Sequence, residues 1–105
     1  MALPLPAETF PLIQDEAGRI LIEGTRVTLD SVVYAFREGA TPEEITFRFP
    51  TLALRDVYAS ISYYLNHTDE IDAYLGVREE AARSRREKSQ QDSVAIRQRL
   101  LDRRR

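Results

Sequence analysis

Residues 39–65, GATPEEITFRFPTLALRDVYASISYYL, decide how this chain folds. They predict a short helix, a tight break and a longer helix. Thr41 is placed to cap the first helix, Pro42 fits its first helical position, and Glu44 stands three residues after the cap. Together these form a capping box, in which the threonine oxygen and the glutamate carboxylate each satisfy a backbone N–H that a helix end leaves unpaired. Ile45 and Phe49, four residues apart, give one apolar stripe, and Pro50 stops the helix. The second helix restarts within 51–54. Its apolar positions Leu54, Val57, Tyr58, Ile61, Tyr64 and Leu65 recur with a period near 3.6. Two amphipathic helices joined by so short a break must cross sharply to share one core, which is helix-turn-helix geometry.

Upstream, 10–15 (FPLIQD) and 19–23 (RILIE) are short β-prone runs with Glu16-Ala17-Gly18 as a turn between them. Gly24-Thr25 then turns the chain into 26–29 (RVTL). Two or three short strands linked by glycine-containing turns predict a small meander. It is marginal alone and must pack on helices or pair with another chain, and an open strand edge is a route to a dimer. A first helix follows near Asp30, capped by Thr28 or Asp30, with Val32, Val33 and Phe36 inward and Gly39 as its stop. Residues 1–9, MALPLPAET, carry no periodicity and read as a flexible arm.

Downstream, Asn66-His67-Thr68 breaks the periodicity, and Thr68 or Asp69 can cap a fourth helix. Ile71, Tyr74, Leu75, Ala81 and Ala82 form its stripe, with Arg78 on the same face. Gly76 costs about 1 kcal/mol relative to alanine inside a helix and marks a place for a break. Beyond it, the chain is charged and helix-prone, with Val94, Ile96, Leu100 and Leu101 as its only later large apolar residues. Such a segment buries too little surface to fold alone and is expected to order on a partner. The expected architecture is mainly α: a helix-turn-helix bundle with a small N-terminal β-meander and an extended helical C-terminal tail. Its parts are the arm at 1–9, the helix-turn-helix domain at 10–75 and a basic partner-binding tail at 76–105.

The 105 residues amount to one domain with an extension. The absence of cysteine removes disulfides and thiolate chemistry and fits a reducing cytoplasm. No run of apolar residues reaches membrane-spanning length, and no basic segment precedes an apolar one at the N-terminus. The formal net charge of −2 hides an asymmetry. Residues 1–75 carry five arginines against 12 Asp and Glu, whereas 76–105 carry 10 Lys and Arg against five Asp and Glu. That pattern suggests a folded body with a charged interaction tail.

Catalysis has little to stand on. The single histidine, His67, sits in a predicted loop and reads as a surface residue. The carboxylates Glu43-Glu44 and Asp69, Glu70 and Asp72 occupy helix starts, where capping and the helix dipole already account for them, so no metal site is expected. No glycine pattern cradles a phosphate, and no cofactor is expected. DNA is the obvious ligand of a helix-turn-helix. Arg55, Ala59, Ser62, Tyr63 and Asn66 occupy the outward positions of its second helix, with Asn66 suited to adenine and Arg55 to guanine or phosphate. Arg26 and Arg48 would add positive charge if the fold brings them alongside. One cation on the face itself is few, because phosphate neutralisation supplies most of the affinity.

Several of these residues recur in one order: Gly24-Thr25-Arg26-Val27-Thr28, then Gly39-x-x-Pro-Glu-Glu-Ile, then Phe49-Pro50 with Leu52, then Asp56-Val57 and Tyr63-Tyr64. Over roughly 10–75 the chain resembles the small prokaryotic proteins known as domain of unknown function four-three-three. Members of that family are regarded as VapB-like antitoxins, often encoded beside a PIN-type ribonuclease toxin. Ala53 departs from the family pattern, which usually offers a Ser or Thr cap there, at a cost of about 0.5–2 kcal/mol. The resemblance implies a type II antitoxin whose partner is a cognate PIN-type ribonuclease. The helix-turn-helix and the strand edges add the expectation of a homodimer or a higher hetero-oligomer that binds its operon's own operator DNA, in the cytoplasm that the lack of cysteine suggests. PIN-type nucleases hold metal in an acidic cluster, and an arginine fork matches a carboxylate with two parallel hydrogen bonds. The tail offers Arg78, Arg83, Arg85, Arg86, Arg97, Arg99 and three terminal arginines for that role. Ile71, Tyr74, Leu75, Leu100 and Leu101 would anchor it as a helix laid in an apolar groove. A transcriptional regulator without a toxin, and an adaptor that touches no DNA, are the alternatives.

Overall fold

The computed structural model describes residues 9–103, so the expected arm lies outside them except for Thr9, as do Arg104 and Arg105. Among the described residues the order is β1 (Leu12–Gln14), β2 (Ile20–Ile22), α1 (Leu29–Arg37), α2 (Pro42–Arg48), α3 (Leu54–Asn66) and α4 (Thr68–Asp102). The chain divides into two compact units, one closing at Thr68 and the other opening at Asp69.

In the first unit, β1 and β2 pair antiparallel with Ile13 opposite Leu21. Asp15 builds the turn between them: its Oδ1 accepts the backbone N–H groups of Ala17 (3.0 Å) and Arg19 (2.9 Å), and its Oδ2 accepts the Arg19 Nε–H at 2.7 Å. The third β-prone run supplies a bridge rather than a strand. Thr28 pairs with Leu21, and the Ile22 N–H donates to the Val27 carbonyl. Thr28, not Asp30, then caps α1, its side chain accepting the Ser31 N–H. The helix ends where the next residue must turn left-handed. Gly39 has φ 97°, a conformation that a side chain would strain. The Gly39 and Ala40 N–H groups donate back to the carbonyls of Phe36 and Ala35, satisfying the end of α1.

The Thr41 capping box forms as the sequence predicts, with Glu44 N–H on Thr41 Oγ1 at 3.1 Å and Thr41 N–H on Glu44 Oε1 at 3.2 Å. Pro50 and Thr51 follow in the turn, and α3 starts from Ala53 with no side-chain cap. Ile22, Val32, Ala35, Ala40, Ile45, Leu52, Val57 and Ile61 close into one buried cluster, with Leu12, Val27, Phe36 and Phe49 packed against it.

Two expectations need correction. The buried face of α3 is Val57, Ser60, Ile61 and Tyr64, while Leu54, Tyr58 and Leu65 are 40%, 50% and 58% exposed. At about 100° per residue the six expected positions span about 120°, and the face that meets the core is turned to one side of that arc, toward Ser60 and away from Leu54, Tyr58 and Leu65. Ser60 can be buried because its hydroxyl donates to the Asp56 carbonyl of its own helix at 2.7 Å. The other correction concerns α4. It runs unbroken through Gly76, and the Thr68 hydroxyl donates back to the Tyr64 and Leu65 carbonyls instead of capping the new helix. One glycine is outweighed by a surrounding run of alanine, arginine, glutamate and glutamine.

In the second unit Ile71 and Leu75 are buried, and every described residue from 83 to 103 is exposed. No helix among the described residues is long and apolar enough to cross a membrane.

Candidate interaction surfaces

The outward side of α3 follows from its buried side. With Val57, Ser60, Ile61 and Tyr64 facing the core, Arg55, Ala59, Ser62 and Asn66 fall on one line opposite, at spacings of four, three and four residues. Arg55 is the cation of that line. Its side chain is 88% exposed, and the approach of its Nε to Asp56 Oδ1 is 3.9 Å, too long and too wet to hold it. Tyr63 belongs elsewhere: its ring meets Phe10 edge-on with centroids 5.0 Å apart and lies 4.5 Å from the His67 ring. Arg48, in the last turn of α2, approaches Glu38 at 3.7 Å, and Arg26 is exposed in the loop between β2 and α1. The structure thus sets Arg55, Ser62 and Asn66 together, and gives Tyr63 and Arg48 other neighbours.

Beside this line Leu54, Tyr58 and Leu65 make an exposed apolar strip. The Tyr58 hydroxyl donates to Glu43 Oε1 at 2.6 Å, tying α3 to the first turn of α2. That bond holds the Glu43 carboxyl below the usual carboxylate range and raises the Tyr58 hydroxyl. Phe47, 87% exposed on α2, is a further apolar side chain in solvent. Sequence reasoning placed Tyr58 in the core and assigned Phe47 nothing. The signal for Phe47 was available: two residues past Ile45, it faces away from the core.

On α4, Ile71 and Leu75 are buried and present no outward surface, while Tyr74 is half-buried with the Arg78 guanidinium 5.6 Å from its ring centre. Arg83 pairs with Glu80. Arg85 and Arg86 are exposed among charged and small residues. The distal end differs. Val94, Ile96, Leu100 and Leu101 are each more than half exposed, and all four flank Arg97, at three and one residues before it and three and four after. At about 100° per residue they fill one half of the helix with Arg97 near its middle, while Gln91, Asp92, Gln98, Arg99 and Asp102 fill the other. Among the described residues no group of three or more His, Asp or Glu side chains is placed to hold a metal ion.

Residues 16–64 match a family model described as "Protein of unknown function (DUF433)". Neither a curated protein nor a solved structure matches the chain.

Proposed function

Because residues 16–64 carry a DUF433 domain, as the ordered motifs suggested, we propose that this protein is the antitoxin of a type II toxin–antitoxin pair. Its C-terminal helix neutralises a PIN-type ribonuclease. The observation that carries this reading is the distal end of α4: one arginine framed by four exposed aliphatic side chains, on a segment with every residue in solvent. A helix of that kind is built to lie in an apolar groove, and its guanidinium suits a cluster of carboxylates such as a metal-dependent nuclease presents. Nucleic acid is the poorer match for this face, since a phosphate backbone would meet four aliphatic side chains around a single cation.

The line of Arg55, Ser62 and Asn66 on α3 supports a second activity, binding of the operon's own promoter. With one cation per copy it requires a dimer, or Arg26 and Arg48 from the same body, to hold a phosphate backbone. A stand-alone regulator uses this line and needs no tail.

Co-purification decides between these. The full chain, tagged and co-expressed with the product of the neighbouring gene, brings that product down as a stable complex. Arg97→Glu loses it, because a carboxylate replaces the cation at the centre of the docking face. Equal recovery with both chains would remove Arg97 from the interface, and no complex with either would remove the antitoxin reading.

A further inference from the structure

Two exposed apolar surfaces of this chain carry opposite charges. On α3, the strip of Leu54, Tyr58 and Leu65 has one carboxylate at its side, Glu43, held there by the Tyr58 hydroxyl at 2.6 Å. On α4, Val94, Ile96, Leu100 and Leu101 surround one guanidinium, Arg97. We propose that the distal end of α4 in one copy of this chain docks on the α3 strip of a second copy, with Arg97 meeting Glu43, so that the free protein associates head to tail. The proposal rests on reading the end of α4 as a protein-docking helix, not on the identity of any other partner.

Charge selects this pairing over the symmetric ones. Two distal ends packed face to face about a two-fold axis would set Arg97 against Arg97, and two α3 strips would set Glu43 against Glu43. Like charges brought together at an interface oppose association. Only the unlike pairing satisfies both groups. The wider field agrees, since 1–75 carry 12 acidic side chains against five arginines and 76–105 carry 10 basic against five acidic. Dimensions agree as well. At about 1.5 Å per residue the α3 strip is roughly 16 Å long and the span from Val94 to Leu101 roughly 10 Å, so the shorter lies within the longer. Such a contact is heterologous. It closes as a dimer when each copy gives its helix to the other, and otherwise runs on as an open chain. A distal helix held this way is covered, so any other protein that takes it must displace the second copy.

Sedimentation equilibrium of the full chain alone tests the proposal, with no other protein or nucleic acid in the cell. Its outcome is therefore separate from whether the tail binds a ribonuclease. The tail variant is Arg97→Glu with Leu100→Ser, and the face variant is Glu43→Arg with Leu65→Ser; all four positions are exposed, and thermal melts matching the wild type establish folding. The wild type associates, and more weakly as salt is raised. Each variant alone is monomeric. Their equimolar mixture recovers a one-to-one complex at least about tenfold tighter than either variant with itself, because each supplies the surface the other lacks. A wild type monomeric up to millimolar concentration overturns the proposal, whether or not the variants fold. A mixture that stays monomeric overturns it too, since a symmetric contact would then be the one lost.

Discussion

Two single positions at helix starts carry opposite expectations. Thr41 makes both bonds of its capping box, whereas Ala53 caps α3 with no side-chain bond at all. Thr41→Ala should lower stability in urea by about 1 kcal/mol, and Ala53→Ser should raise it by a similar amount, with no change in the slope against denaturant. Loss of stability in the Ala53 variant would mean that the serine cannot reach the α3 backbone from that turn. Asp15 gives a pH dependence. The Arg19 backbone N–H, then the Arg19 guanidinium and the Ala17 N–H, hold its carboxyl below its ordinary value. Its contribution is therefore present at neutral pH and lost as pH falls through the lowered folded value. Asp15→Asn should flatten the acid limb of the stability profile. An unchanged acid limb would show that this turn does not govern acid unfolding.

At the scale of the elements, the parts marked by proline, glycine and cap residues were legible and the orientation of the faces was less so. Thr28, Thr41, Pro42, Gly39 and Pro50 each have one local job, and each does it where the sequence places it. The α3 face was misjudged because a period near 3.6 fixes that a stripe exists but not where its centre lies. With Leu54, Tyr58 and Leu65 on one shoulder and Ser60 and Tyr64 on the other, only packing chooses. Ser60 could not be read as buried, since its hydroxyl is satisfied within its own helix. Gly76 misled because a local penalty of about 1 kcal/mol is summed against the whole helix around it. The far half of α4 has helical propensity and no burial, and an isolated helix is marginal in water. Amide exchange should therefore be slow in α1 and α3 and fast from 83 to 103 in the dilute, monomeric protein, with neither a partner nor a second copy on the segment. Protection of 83–103 equal to that of α3 would show that the segment is already held.

For the whole molecule, the fold supplies an eight-residue buried cluster drawn from β2, α1, α2, α3 and the loops flanking α2, and the far half of α4 adds nothing to that cluster. Removing the tail should therefore separate activity from folding. Ile45, fully buried in the cluster, is the contrasting case: Ile45→Ala should cost about 2–5 kcal/mol and take all functions with it. The candidate partner surface was legible only in part. The basic tail and its arginines were visible in the sequence, but Arg97 stood out only once one helix through 68–102 fixed which side chains surround it. The measurement that bears most directly on the antitoxin reading is growth of cells expressing the neighbouring gene's product together with this protein, either full length or ended after Gly76. Arrest by the neighbour alone, relieved by the full chain and not by the shortened one, is the predicted result. No arrest, or equal relief by the chain that lacks its tail, would contradict it.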